Sequence, residues 1–161
     1  MTYNILLVDD DEIILNTYQA ILELEGYSVF TAPDPYKALQ IIQKQEIQLA
    51  ILDYNLPQMT GLQLGHLIKK TQESAIIYFI SGNYEIHRLA KEVSYEVNLV
   101  LTKPIDLDIL INEIKNTIGE PQITDKERIT DIIKKIKPDQ ISRIVEKLIP
   151  KISNLKIEPV Y

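Results

Sequence analysis

A chain of 161 residues, 45% apolar and 25% charged, has the length and composition of a globular protein with a true core. It holds no cysteine, which excludes disulfides and thiolate metal sites, and no apolar run near the roughly 18–20 residues that a membrane helix needs. The net charge of −6 is uneven: residues 1–120 carry 8 Lys/Arg against 17 Asp/Glu, while 121–161 carry 9 against 6, so an acidic body and a mildly basic tail are expected as two units.

The start, Met1-Thr2-Tyr3-Asn4, lacks the basic segment of a signal peptide, and a cytoplasmic location is expected. Ile5-Leu6-Leu7-Val8 is a continuous apolar run and predicts a strand buried on both faces. Asp9-Asp10-Asp11-Glu12 follows at once. Helical spacing then runs through Ile13, Ile14, Thr17, Tyr18, Ile21 and Leu22 to a stop at Gly26. Acids suit the positive end of a helix, which is the plain structural explanation for that cluster. Tyr27–Thr31 predicts the second strand, and Pro33-Asp34-Pro35 opens a second helix carrying Ala38, Leu39, Ile41 and Ile42.

The third strand, Leu49-Ala50-Ile51-Leu52, is interrupted by Asp53 where it would leave the sheet. Pro57 disfavours helix at the residue before it, Gly61 is read as supplying backbone freedom in the turn, and a helix over 62–70 follows. Ala75–Ile80 predicts a fourth strand, ending at Ser81-Gly82-Asn83. A fourth helix is expected over 84–93, a short fifth strand over 98–101 ending at Thr102-Lys103-Pro104, and a fifth helix over 107–118 with Asp106 as its N-cap.

Strands alternating with helices imply right-handed crossovers and a doubly wound parallel sheet of the α/β class. Ligands of such sheets bind at the carboxyl ends of the strands. Asp9, Asp10, Asp53, Ser81 and Lys103 all end strands, so the side chains that interrupt apolar runs share one rim. Three carboxylates in one place repel one another unless a cation intervenes, and Mg²⁺ is the hard, oxygen-preferring ion that also bridges to phosphate. A lysine adds a fixed positive charge, and a serine hydroxyl donates to an anionic oxygen. These parts suit acceptance of a phosphoryl group by a carboxylate. His66 and His87 lie on predicted helices without an evident carboxylate partner and are read as ordinary surface or half-buried residues. The nine tyrosines form no stacking stripe.

Val8-Asp9-Asp10, Asp53 with Pro57 and Gly61 behind it, Ser81-Gly82 and Lys103-Pro104 together resemble the receiver domain of two-component response regulators, over residues 1 to about 120. The resemblance implies a flavodoxin-like (βα)5 sheet of order 2-1-3-4-5. It makes Asp53 the phosphoacceptor, and gives Mg²⁺ to Asp9, Asp10, Asp53 and the backbone carbonyl of Asn55. Ser81 and Lys103 would bind the phosphoryl group, with a cis bond before Pro104. It further implies a histidine kinase or phosphotransfer protein as donor and a downstream protein, or a second copy of the chain, as output, reached through the face of the fourth helix, fifth strand and fifth helix or through the tail. Three positions depart from the pattern: Val100 stands where an aromatic residue is usual, Glu96-Val97 replaces a small pair, and Thr60 sits where an acid is common. The order of Asp9-x-Asp11, Ser81, Lys103 and Asp106-x-Asp108 is also similar to haloacid-dehalogenase-type phosphatases, which would make Asp9 the nucleophile and leave Asp53 without a role.

Gly119-Glu120-Pro121 closes the body. Beyond it, Thr124-x-x-Glu127 is a capping box before Ile129, Ile132, Ile133 and Ile136, and Pro138-Asp139 precedes a second stripe of Ile141, Ile144, Val145, Leu148 and Ile149, stopped by Pro150. A C-terminal helical hairpin is expected, too short to be stable alone and too weakly basic to read DNA. Residues 137–149 resemble part of the extraterminal domain of bromodomain proteins, which would make Leu155-Lys156-Ile157-Glu158 a strand for a partner peptide.

Overall fold

A computed structural model of the chain describes residues 3–82 and 97–121. The helix expected over 84–93 and the helical tail beyond 121 lie outside the described residues. Five strands, β1 (Asn4–Val8), β2 (Ser28–Ala32), β3 (Leu49–Asp53), β4 (Ile76–Ser81) and β5 (Leu99–Thr102), form one parallel sheet of order β2-β1-β3-β4-β5. The helices described are α1 (Glu12–Leu24), α2 (Pro35–Ile42), α3 (Gly61–Thr71) and α4 (Leu107–Ile118). The expected strands are all present, shifted by at most one residue at either end.

The sheet is buried where the apolar runs are longest. Every residue of β3 is buried, as are the last four of β1 and the last five of β4. Continuous runs of Ile, Leu and Val suit a strand covered on both faces, because neither face needs a polar side chain. One face carries Leu6, Val8, Ala50, Leu52, Ile77 and Phe79, packed on Ala38, Ile42, Leu64 and Ile68 from α2 and α3.

Side-chain caps set where the helices begin. Asp11 accepts from the amides of Ile13 and Ile14, Asp34 from Lys37 just ahead of Pro35, and Asp106 from Asp108 and Ile109. Thr60, the residue in the acid's usual place, forms a reciprocal capping box with Gln63. Each cap satisfies amides that would otherwise lack a partner in the first helical turn.

Gly61 does a different task from the one its sequence context suggested. Its φ is not in the left-handed region; that conformation belongs to Gln58, at φ 68°. Gly61 is instead a point of close approach. A Cβ there would lie 2.3 Å from the carbonyl oxygen of Asp53 and 2.9 Å from the Cα of Tyr54. Its amide also donates to the Tyr54 carbonyl at 2.8 Å. The start of α3 is thus pressed onto the end of β3 by the lack of a side chain. At Gly65 a Cβ would meet only side chains, nearest the Phe79 ring at 3.1 Å. Gly61→Ala is therefore expected to destabilise the fold by about 3 kcal/mol, the upper part of the range for overpacking, and Gly65→Ala by clearly less. Urea unfolding of the two variants measures this; equal losses would contradict the steric role.

Candidate functional site

Strand register brings the polar residues together. Val8 pairs with Leu52, Asp53 with Ile80, and Ser81 with Thr102, so β1, β3, β4 and β5 end within two residues of one another on the same side of the sheet. Asp9 follows β1 at once, with its amide bonded to the Ala32 carbonyl of β2 at 3.3 Å. Asp53 is the last residue of β3, Ser81 the last of β4, and Lys103 the first beyond β5. Asp9, Asp53 and Ser81 are buried polar residues in an otherwise apolar layer, while Asp10 and Asn55 are exposed.

Lys103 is the hub. Its Nζ donates to Asp9 Oδ2 at 2.9 Å and to Asp53 Oδ2 at 2.7 Å. The other oxygens are held by the backbone: Asp9 Oδ1 accepts from the Asp11 amide at 2.9 Å, and Asp53 Oδ1 from the Asn55 amide at 3.1 Å. Both carboxylates are therefore fixed in orientation rather than free to rotate. The ammonium is half-buried, and burial by itself would lower its pKa. Its bonds to Asp53 and Asp9, and their charges, outweigh that and hold it above the usual lysine range. Burial pushes the Asp9 carboxyl up, and the Lys103 and Asp11 bonds that favour its charged form only partly offset this.

Asp9, Asp10 and Asp53 each offer an oxygen within 4.8 Å of the others'. Three carboxylates and one ammonium leave a formal charge of −2, and the donors are all hard oxygen. That set fits a divalent cation of the Mg²⁺ type, which binds through few carboxylates and retains water.

The backbone ties the rim together beyond these side chains. The Tyr54 amide donates to the Ile80 carbonyl at 2.9 Å, and the Lys103 amide to the Ser81 carbonyl at 2.8 Å. The Lys103–Pro104 peptide is cis, as the resemblance implies. Val100 is half-buried and packs against the core, as does Val97. His66 is exposed on α3, away from the rim residues in sequence and element, and His87 lies outside the described residues.

The structure brings Asp9, Asp10, Asp53 and Lys103 together. Two parts of the arrangement were not expected from the sequence. Asp11 caps α1 while Asp9 and Asp10 face the cation site, so the helix-start explanation and the site explanation hold for different members of one cluster. The second is that Lys103, expected at the phosphoryl group, hydrogen-bonds both Asp9 and Asp53.

The family model for the response regulator receiver domain matches residues 5–115. The chain belongs to that family. Among curated proteins, the transcriptional regulatory protein GlrR of Escherichia coli (strain K12) is 30% identical over 130 residues, 81% of this chain but 29% of GlrR. The chain spans well under half the length of the curated relatives it matches. Among solved structures, the CheY-like receiver domain protein of Methanospirillum hungatei JF-1 is 26% identical with a TM-score of 0.67, covering 84% of this chain and all of that one. The response regulator TrrA of Thermotoga maritima, in complex with Mg²⁺ and beryllium fluoride, is 27% identical with a TM-score of 0.64, covering 72% of this chain and 99% of TrrA. This receiver domain has no described helix long and apolar enough to cross a membrane.

The raised Asp9 carboxyl gives a pH dependence. A group whose pKa is higher in the folded than in the unfolded state favours the fold when protonated. That contribution is complete below the ordinary value of 3.8 and is lost as pH rises through the folded value. Asp9→Asn keeps an acceptor without the charge. In metal-free buffer the variant is expected to gain stability over the unmodified chain as pH rises from 3 to 7. Urea midpoints at both pH values check this; a gap that shrinks with rising pH would contradict it.

Proposed function

We propose that the receiver accepts a phosphoryl group on Asp53 and passes its state to another protein. The observation that carries this reading is the double contact of Lys103 with Asp9 and Asp53, beside a third carboxylate placed to share a cation. Asp53 is the acceptor because its carboxylate ends the central strand β3 and is held by both Lys103 and the Asn55 amide. An Asp53 oxygen attacks phosphorus, the bond from phosphorus to the donor breaks, and the donor leaves with its electron pair. Lys103, already at Asp53, then faces the equatorial oxygens of the new acyl phosphate. Ser81 supplies a hydroxyl to one of them. Asp9, Asp10, Asp53 and the Asn55 carbonyl would hold Mg²⁺, which when bound would supply neutralisation of phosphoryl charge.

The donor is a histidine kinase or phosphotransfer protein, and the output is a protein contact or association with a second copy, in the cytoplasm. Neither nucleic acid nor turnover of a small substrate is part of this reading. The likeness to a Mg²⁺ and beryllium fluoride complex of TrrA and to a transcriptional regulator supports it.

Incubation with acetyl phosphate and Mg²⁺, followed by peptide mass mapping, is expected to put the label on Asp53 and nowhere else. Asp53→Asn or removal of Mg²⁺ by a chelator should abolish it. Label on Asp9 would indicate a phosphatase-like nucleophile, and no label at all a scaffold receiver; either result contradicts the proposal.

A further inference from the structure

Strand β4 is hydrogen-bonded to the rim at its carboxyl end and, through a side chain near its middle, to α4. At its carboxyl end, the Ile80 carbonyl takes the amide of Tyr54, next to Asp53, and the Ser81 carbonyl takes the amide of Lys103 itself. Among the described strands, β4 lies between the one that carries Asp53 and the one that leads to Lys103. Three residues back, the side chain of Tyr78 is fully buried. Its hydroxyl donates to the Glu113 carbonyl at 3.1 Å and is paired with the hydroxyl of Thr117. Both partners lie in the second half of α4, the helix that leads to the end of the receiver.

We infer that Tyr78 couples the state of the Asp53 site to the C-terminal turn of α4. The inference rests on the phosphoacceptor reading above. A new group on Asp53 draws Lys103 toward its oxygens. Lys103 and the residue after Asp53 are each bonded to the end of β4, so a shift in either is felt by that strand. A close-packed strand transmits displacement rather than absorbing it. The phenol cannot let go of α4 cheaply, because a buried hydroxyl without a partner loses its hydrogen bond to water as well. Thr117 and Glu113 therefore follow β4.

A second buried phenol supplies the reference point. Tyr27, just ahead of β2, donates to the Gly119 carbonyl at 2.9 Å. β2 is the sheet edge on the other side of β1 from β3, so this contact is three strands removed from β4. Lys115 adds ion pairs to Glu25 at 3.2 Å and Glu120 at 2.8 Å. The end of α4 is thus held from two sides: by β4, which is bonded to Lys103 and to the residue after Asp53, and by the residue ahead of β2, a strand whose bond to the rim goes to the Asp9 amide and not to Asp53 or Lys103. Tyr78 is a positioning residue in this scheme and touches no reacting atom.

The test is amide hydrogen exchange of the full chain with Mg²⁺, with and without beryllofluoride. In the unmodified protein the exchange of amides 114–119 is expected to change by about threefold or more when beryllofluoride binds, within the range of measured coupling effects. In Tyr78→Phe that response should fall to less than about half, on a logarithmic scale, while acetyl phosphate still labels Asp53. Tyr27→Phe should keep the response. Thr117→Val removes one of the two contacts from the helix side, leaving the Glu113 bond, and should lower the response in the same direction as Tyr78→Phe, which separates loss of coupling from poor folding of one variant. An unchanged response in both Tyr78→Phe and Thr117→Val, or no response in the unmodified protein although Asp53 takes the label, overturns the coupling alone. Failure of Asp53 to take the label overturns the phosphoacceptor reading and the coupling with it.

Discussion

The site depends on one ammonium group shared between two buried carboxylates. Lys103 reaches Asp9 and Asp53 at hydrogen-bond distance, and without it the two acids would face each other across an apolar layer with no counter-charge. Burial makes both signs of charge costly, so each side of the contact requires the other. The same arrangement explains why the cluster suits a phosphoryl group. The lysine sits on the carboxylate before any reaction, and a phosphate on that carboxylate brings anionic oxygens to a cation that is already in place.

The fold serves this contact by being rigid around it. Parallel strands end within two residues of one another on one side of the sheet, and helix caps at Asp11, Thr60 and Asp106 start the next elements within a few residues of the rim. Gly61 lets α3 press on the carbonyl of Asp53 itself. Backbone bonds from Tyr54 to Ile80 and from Lys103 to Ser81 then stitch β3, the loop after β5 and β4 into one frame. A carboxylate mounted on such a frame cannot change its surroundings without moving its neighbours, which is the property a signalling domain needs.

Much of this was legible in the residue order. Apolar runs cut by Asp9, Asp53, Ser81 and Lys103 locate the strand ends, and the alternation with helical spacing implies a parallel sheet whose strand ends share a side. The order 2-1-3-4-5 and the cis bond before Pro104 came from family resemblance rather than from periodicity. What could not be read were contacts fixed by three-dimensional packing. Nothing local distinguishes Asp11, a helix cap, from Asp10, a cation-site acid. Gly61 looked like a hinge because glycine permits unusual φ, yet the left-handed residue is Gln58 and the glycine answers a steric demand from another element. The tyrosines looked scattered because their partners are far off in sequence: Tyr27 meets Gly119, Tyr78 meets Thr117, and Tyr3 tilts against Tyr27 at 6.5 Å between ring centres.

If Asp9, Asp10, Asp53 and Lys103 form one electrostatic unit, lysine and divalent cation are held by the same acids and must oppose each other. Calorimetric titration of Mg²⁺ into Lys103→Met and into the unmodified chain at pH 8 tests this directly. One Mg²⁺ per chain is expected in both. Removing the ammonium should tighten binding by about fivefold or more, since the formal charge of the site falls from −2 to −3 within contact distance of the ion. Equal affinities, or no saturable binding in either protein, would contradict the account.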